Sequence, residues 1–257
     1  MIELDAAEVT AWSPDPAGGP DRVVRLLGPV TLTLTEPHVA VVGANGSGKS
    51  TLARLLNGLV LPSAGHVRVD GLDTASDGPA VRRRVGFVFT DPDAQIVMPT
   101  PVEDIALSLR RAVRDARERE ARALAALARF GLADRAHVSV HALSGGQRQL
   151  LAMAAVLATD PDVLVCDEPT TLLDLRWRTR VDTLLASLDQ QVVVVTHDLE
   201  AAARADRVLV VDDGQVVADG APADALAHYR ALMGASGTSG SVSTSPGASG
   251  APWDGAP

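Results

Sequence analysis

The sequence predicts an α/β fold, a mainly parallel sheet with helices on both faces. Three observations predict it. Through the second half of the chain, apolar runs of strand length alternate with helical stretches. Residues 39–42 (VAVV) form a short apolar run that feeds a glycine-rich turn, and a helical pattern opens from that turn. The chain has 257 residues, 46% of them hydrophobic, enough for one large domain. Aromatic residues make up only 3%, so Val, Leu and Ala must fill its core.

Each element can be read in order. Residues 2–9 have strand character, and 13–21 (SPDPAGGPD) form a turn-rich loop. Residues 23–34 alternate, with Val30, Leu32 and Leu34 on one face, as in a half-buried strand. These predict a small N-terminal antiparallel β region. A helix is expected over 50–59, stopping near Gly58, and strands over 67–69 and 85–89. A helical insert is expected over about 100–160, with Ala, Leu, Arg and Glu at helical spacing in 103–110 and 114–130. Gly131 suits a helix stop, and 146–158 is the next helix. The charge run 114–122 predicts a solvated helix face, with partner binding as the other reading. Strands follow at 163–166, 192–196 and 207–211, with helices at 178–188 and 199–205 and a turn at 212–214. The domain is expected to span 1–233. Residues 234–257 are Gly, Ser, Ala, Thr and Pro with almost no apolar content, which predicts a disordered tail. Trp253 within it reads as a solvated residue.

The formal net charge is −9, a poor match for nucleic acid, which needs a basic surface. The single cysteine, Cys166, excludes an intrachain disulfide and suggests a reducing cytosol. The acidic start, MIELDAAEV, predicts no signal peptide. No apolar run approaches the roughly 20 residues of a membrane helix. Work at a membrane would require docking on other subunits.

Residues 43–50 fit the phosphate-loop pattern: Gly43, Ala44, Asn45, Gly46, Ser47, Gly48, Lys49, Ser50, with Thr51 following. The chemistry needs each part. Glycines let the backbone curl so that N–H groups face an anion, and the following helix presents its positive N-terminus. Lys49 supplies a full charge to the β- and γ-phosphates of ATP, and the Ser50 hydroxyl can ligate Mg²⁺. A glycine turn that merely caps a helix is the plainer alternative, but the strand before and the helix after argue against it.

The apolar strand 163–166 ends in Asp167 and Glu168. Carboxylates at the end of a buried strand are costly to desolvate unless paired or metal-bound. Asp167 would hold Mg²⁺, mostly through water, and Glu168 would polarise an attacking water as general base. A strand that ends in a solvated acidic loop is the alternative. Cys166 reads as a small buried residue. Leu143, Ser144, Gly145, Gly146 and Gln147 precede a long apolar helix. Ser144 can cap it, and the glycines expose N–H groups, which makes a second anion-binding helix start. One ATP has no evident use for two such starts in one chain. A dimer would use both.

These motifs, with His197 after a strand, resemble the ATP-binding cassette family in order and spacing over about residues 1–233. The resemblance implies a head-to-tail dimer holding two ATP molecules. It implies that Ser144, Gly145, Gly146 and Gln147 meet the γ-phosphate bound by the other chain. Asp174 matches the loop that links the two sites, and His197 matches the switch histidine that contacts the γ-phosphate. Two positions depart from the pattern. The family stacks adenine on an N-terminal aromatic residue; Trp12 is the only aromatic before the phosphate loop and is the candidate platform. The family places a glutamine after the strand at 85–89, where this chain has Thr90, with a glutamine only at Gln95. Thr90 and Gln95 are the candidates for coupling to a membrane partner.

Residues 89–104 (FTDPDAQIVMPTPVED) resemble the corresponding stretch of energy-coupling-factor ATPases, and 169–176 (PTTLLDLR) resemble the biotin-type members. That resemblance implies a peripheral subunit on the cytoplasmic face of the membrane. Its partners would be a second cassette, a transmembrane coupling subunit and a membrane substrate-binding subunit, with biotin or cobalt as candidate cargo. Other readings exist. A DNA-repair cassette would have a long coiled coil between its motifs, and heptads are absent. A translation cassette protein usually carries two motif sets. A soluble single cassette of iron–sulfur assembly shares these motifs and stays open. A non-hydrolysing binding module is opposed by the presence of both Glu168 and His197.

Overall fold

The computed structural model describes residues 1–15, 19–171 and 173–236. The middle of the expected loop at 13–21, Leu172 and most of the expected tail lie outside the described residues. Two sheets organise the chain. The first is antiparallel, built from β1 (Ile2–Ser13), β2 (Arg22–Leu34), β4 (Ala64–Val69) and β5 (Leu72–Asp73) in the order β2-β1-β4-β5. The second contains β3 (His38–Val42), β6 (Val85–Val88), β7 (Val163–Asp167), β8 (Gln191–Val195), β9 (Arg207–Asp212) and β10 (Gln215–Gly220). Its order is β10-β9-β3-β8-β7-β6. All its neighbours are parallel except β10, which runs antiparallel to β9.

The helices are α1 (Lys49–Leu56), α2 (Gly78–Arg84), α3 (Pro101–Leu109), α4 (Ala116–Arg129), α5 (Gly145–Leu157), α6 (Leu175–Ala186), α7 (Leu199–Ala202) and α8 (Pro222–Ser236). Helix α8 carries through Gly234 to Ser236, three residues past the expected domain end. Helix α6 starts at Leu175 rather than 178, because the Asp174 carboxylate caps it by accepting from the Trp177 N–H.

The parallel strands are apolar throughout because both their faces are covered. Side chains alternate across a strand. Val163 and Val165 of β7 therefore enter one core, shared with α1 and the antiparallel sheet. Leu164 and Cys166 enter a second core beneath α3, α4 and α5. Burying one such Val or Leu contributes about 1.5–3 kcal/mol. Helix α5 buries Leu150, Leu151, Met153 and Ala154, while α4 buries only Ala123 and Leu127, so the 114–122 charge run is a solvated face. No described helix is long and apolar enough to cross a membrane.

Register positions the site. Asp167 pairs with Val195, Val41 also pairs with Val195, and Val42 pairs with Val210. The ends of β3, β7 and β8 therefore lie side by side. In open α/β sheets that carboxyl edge is where ligands bind.

Candidate nucleotide site

The phosphate loop leaves β3 at Gly43 and enters α1 at Gly48. Gly43 has φ 156°, and a Cβ there would lie 2.1 Å from the Val211 carbonyl oxygen. Gly48, the cap residue of α1, has φ 105°, and no side chain caps this helix. Its first N–H groups are thus left to face an anion. Ser47 and Lys49 are buried, whereas Asn45 and Gly46 are exposed at the tip. Lys49 Nζ donates to the carbonyls of Gly43 (2.9 Å) and Ala44 (2.8 Å). Burial pulls the Lys49 pKa below the usual lysine value, opposed by the nearby charges of Glu168 and Asp167. The Ser47 hydroxyl has no partner among the described residues. An open cleft of ≈ 380 Å³ lies over the loop, lined by Val24, Leu26, Gly48, Lys49, Thr51 and Gly214, among others.

Asp167 ends β7 at 1% exposure, and its Oδ1 accepts from the Ser50 hydroxyl at 3.0 Å. Burial raises the Asp167 pKa, with the Ser50 bond and Arg54, at 3.8 Å, acting against it. Two hard oxygen donors in hydrogen-bond contact fit Mg²⁺, which takes one or two protein oxygens plus phosphates and water. Glu168 follows at φ 53°, a left-handed conformation that is strained for a residue with a Cβ. Its N–H donates to the Val195 carbonyl at 3.0 Å. Its Oε2 lies 2.7 Å from His197 Nδ1 and accepts from the Thr171 hydroxyl at 3.0 Å. In this conformation the Glu168 side chain faces His197, which is half exposed two residues beyond β8.

Five expected residues therefore meet: Lys49, Ser50, Asp167, Glu168 and His197. Others stand apart. Trp12 pairs with Val23 near the end of β1 and is 73% exposed. The adjoining Val24 lines the cleft; Trp12 itself does not. Thr90 reaches the site indirectly, its hydroxyl donating to the Asp167 carbonyl at 2.8 Å. Gln95 spends its amide inside the chain, accepting from the Phe89 N–H (3.3 Å) and donating to the Ala152 carbonyl (3.5 Å).

The start of α5 is capped by its own side chains. Ser144 Oγ accepts from the Gln147 N–H at 3.2 Å, and Gln147 Oε1 accepts from the Ser144 N–H at 2.9 Å. A Cβ on Gly146 would press on Leu173 and Trp177, but one on Gly145 would meet nothing within 4 Å.

The family model described as ABC transporter matches residues 27–171. The chain belongs to the ABC transporter ATPase family. Members of this family hydrolyse ATP to power transport. The chain is 46% identical over 206 residues to the biotin transport ATP-binding protein BioM of Rhizobium etli, covering 80% of this chain and 92% of that one. It is 42% identical over 203 residues to the energy-coupling factor transporter ATP-binding protein EcfA1 of Lactiplantibacillus plantarum, covering 76% and 71%. Its fold matches the ATP-binding cassette MJ0796, solved as a post-hydrolysis dimer bound to ADP and Pi. There the TM-score is 0.76 and the identity 31%, over 86% of this chain and 99% of that one.

Several residues of the cassette's site were not singled out from sequence. Thr171 holds Glu168, Arg54 faces Asp167, and Gly214 lines the cleft and donates its N–H to the Ser47 carbonyl. The turn at 212–214 was legible, but nothing in it signals a contact with a loop far away in sequence. Gln149, two residues beyond the Leu143–Gln147 stretch, carries no signal of its own in the sequence.

Proposed function

We propose that this cassette is the Mg-ATP-hydrolysing subunit of an energy-coupling-factor-type micronutrient importer. It would act as a head-to-tail dimer beside a transmembrane coupling subunit and a membrane substrate-binding subunit, on the cytoplasmic face. Likeness to BioM and EcfA1 supports the subtype and makes biotin the cargo to test first, with cobalt second. The observation that carries the reading is the convergence of Lys49, Ser50, Asp167, Glu168 and His197 at one sheet edge.

In this reading Gly43, Asn45, Gly46, Ser47, Gly48, Lys49, Ser50 and Thr51 bind the phosphates, and Trp12 stacks on adenine at the cleft rim. Ser50 and Asp167 hold Mg²⁺, which supplies charge neutralisation on the phosphate oxygens. Lys49 exchanges two carbonyl partners for phosphate oxygens, a stronger charge-assisted pairing. Glu168 takes the proton of the attacking water, and His197 fixes its carboxylate through the 2.7 Å contact. Ser144, Gly145, Gly146 and Gln147 face the partner's γ-phosphate; the open space at Gly145 leaves room for it. Asp174 starts α6 where the two sites would be linked. Thr90 and Gln95 pass the state of the site toward the membrane subunits.

The test is ATP hydrolysis by the purified chain with and without Mg²⁺, then biotin uptake by vesicles holding the chain and its membrane partners. Mg²⁺-dependent hydrolysis and ATP-dependent uptake are expected. Hydrolysis with no membrane partner and no uptake of either cargo would remove the importer reading.

A further inference from the structure

We propose that Gln149 is a positioning residue that ties the start of α5 to Asp167 through Phe89 and Thr90. This rests on reading Asp167 as the metal carboxylate. The last ladder pair between β6 and β7 is Val88 with Cys166. Beyond it the pairing continues through side chains. Thr90 Oγ1 donates to the Asp167 carbonyl at 2.8 Å. The Phe89 carbonyl accepts from Gln149 Nε2 at 3.3 Å, and the Phe89 N–H donates to Gln95 Oε1 at 3.3 Å. Both main-chain groups of Phe89 are therefore held by glutamine amides, one from α5 and one from the following turn.

Gln149 is 1% exposed. An amide at that depth costs free energy unless bonded. The Phe89 bond is the one side-chain hydrogen bond it makes among the described residues, and its Oε1 has no partner there. An apolar side chain of the same shape would serve packing as well or better. A half-satisfied amide kept here points to the geometry of Phe89 as its purpose.

The same end of α5 is fixed twice more. Arg148 Nε lies 2.9 Å from Asp93 Oδ1, an ion pair not aligned as a hydrogen bond, and Arg148 Nη1 donates to the Leu143 carbonyl at 2.8 Å. Gln95 donates to the Ala152 carbonyl of α5. The turn after Phe89 and the start of α5 thus behave as one body, with the Asp167 main chain attached to it through Thr90. Ser144 caps the helix five residues before Gln149, roughly 7.5 Å along its axis. Where α5 sits, as set by what its start touches, is thereby passed to Asp167.

The test uses the full chain carrying Glu168→Gln, so that ATP is bound without turnover. ATP affinity is measured by fluorescent-nucleotide titration with and without Mg²⁺, in the parent and after Gln149→Met, Thr90→Val and both together. Met keeps the shape of Gln and cannot donate. Gln149→Leu is run beside it, so that one poorly packed side chain does not decide the result. Each single change is expected to cut the Mg²⁺-dependent gain in affinity about threefold to tenfold and to leave affinity without Mg²⁺ within about twofold. The double variant is expected to lose no more than the worse single one, because both break one line of contacts.

Losses that multiply in the double variant would overturn the proposal. So would an unchanged Mg²⁺ gain after both Gln149 substitutions. Equal weakening with and without Mg²⁺, accompanied by a lower melting temperature, would make Gln149 a packing residue and overturn it as well. A parent that binds ATP with no response to Mg²⁺ would instead overturn the reading of Asp167 itself.

Discussion

Helices α1 and α5 both start beside glycine, yet the two starts are made in opposite ways. At α1 the chain itself demands glycine, since a Cβ on Gly43 would collide with the Val211 carbonyl and Gly48 holds φ 105°. No side chain caps that helix, and its start is surrounded by Lys49, Ser50 and Asp167. At α5 the N–H groups of Ser144 and Gln147 are satisfied by the reciprocal bonds of their side chains. A Cβ on Gly145 would touch nothing in its own chain. In the proposed reading the first start gathers its anion-binding groups from within one chain. The second gains a reason for its glycine only when something outside the chain is placed against it. MJ0796, a fold neighbour, is solved as a dimer bound to ADP and Pi.

The largest expected effect separates chemistry from assembly. Glu168→Gln keeps the side-chain shape and removes the base. Hydrolysis is expected to fall at least about a hundredfold, some 2.7 kcal/mol, while ATP binding persists. Turnover near the parent rate would remove Glu168 as base. With ATP retained, sedimentation should show Mg-ATP shifting the chain, or the chain with its cassette partner, from monomer to dimer. Adding Ser144→Arg at the second start should abolish that shift by steric clash and an unpaired buried charge. A dimer that still forms would mean the second start meets no partner.

Gly43→Ala sharpens the contrast from the other side. The new Cβ faces a backbone oxygen that cannot swing away, in a conformation disfavoured for Ala. A loss of about 2 kcal/mol in unfolding free energy is expected, with weakened ATP binding in the monomer. Denaturant unfolding checks it. An unchanged midpoint would mean that the loop rearranges freely.

The same contrast explains what could be read before the structure. The phosphate loop was legible because its parts are contiguous from Gly43 to Ser50, so chemistry and spacing coincide. The core strands were legible because two covered faces demand unbroken apolar runs. Elements with weak or mixed patterns escaped. Strand β10 (QVVADG) fully buries none of its residues, and its apolar and polar residue types do not alternate. Helix α2 has a single buried apolar side chain, Val81. Helix α8 fully buries Ala225 and Leu226, with Tyr229 only partly buried beside them on the same face. Contacts between distant residues escaped altogether. The bond from Thr90 to Asp167 spans 77 positions and that from Gln149 to Phe89 spans 60, and no local pattern encodes either. Gln95 reads from the sequence as a candidate for coupling to a membrane partner. Its amide turns inward to Phe89 and Ala152, while the large apolar side chain exposed nearby is Val97, at 69%.

A smaller effect is expected at Thr90. Its hydroxyl touches the Asp167 main chain and not the carboxylate, so Thr90→Ala loosens the site without removing a ligand. Basal hydrolysis is expected to change less than about tenfold, under 1.4 kcal/mol. A steady-state ATPase assay on the isolated chain decides this. A loss far beyond tenfold would place the hydroxyl on the metal itself.

The smallest effect on the fold, and the one that tests the comparison most directly, belongs to Gly145→Ala. Gly145 lies in the first turn of α5 with ordinary helical backbone, and space stands open where a Cβ would go. Alanine is a better helix former and has a less free unfolded chain, so unfolding free energy should rise by about 0.5 kcal/mol. That sign is opposite to the one expected for Gly43→Ala, although both changes add one methyl beside a helix start. The added methyl would stand where the partner's phosphate is proposed to approach. In the Glu168→Gln background, ATP-linked dimerisation should therefore weaken severalfold while monomer ATP affinity holds. Thermal unfolding, nucleotide titration and sedimentation on the same preparation give the three readings. If Gly145→Ala lowers the unfolding midpoint as Gly43→Ala does, both glycines serve the fold of their own chain, and the second helix start loses its claim to an outside ligand.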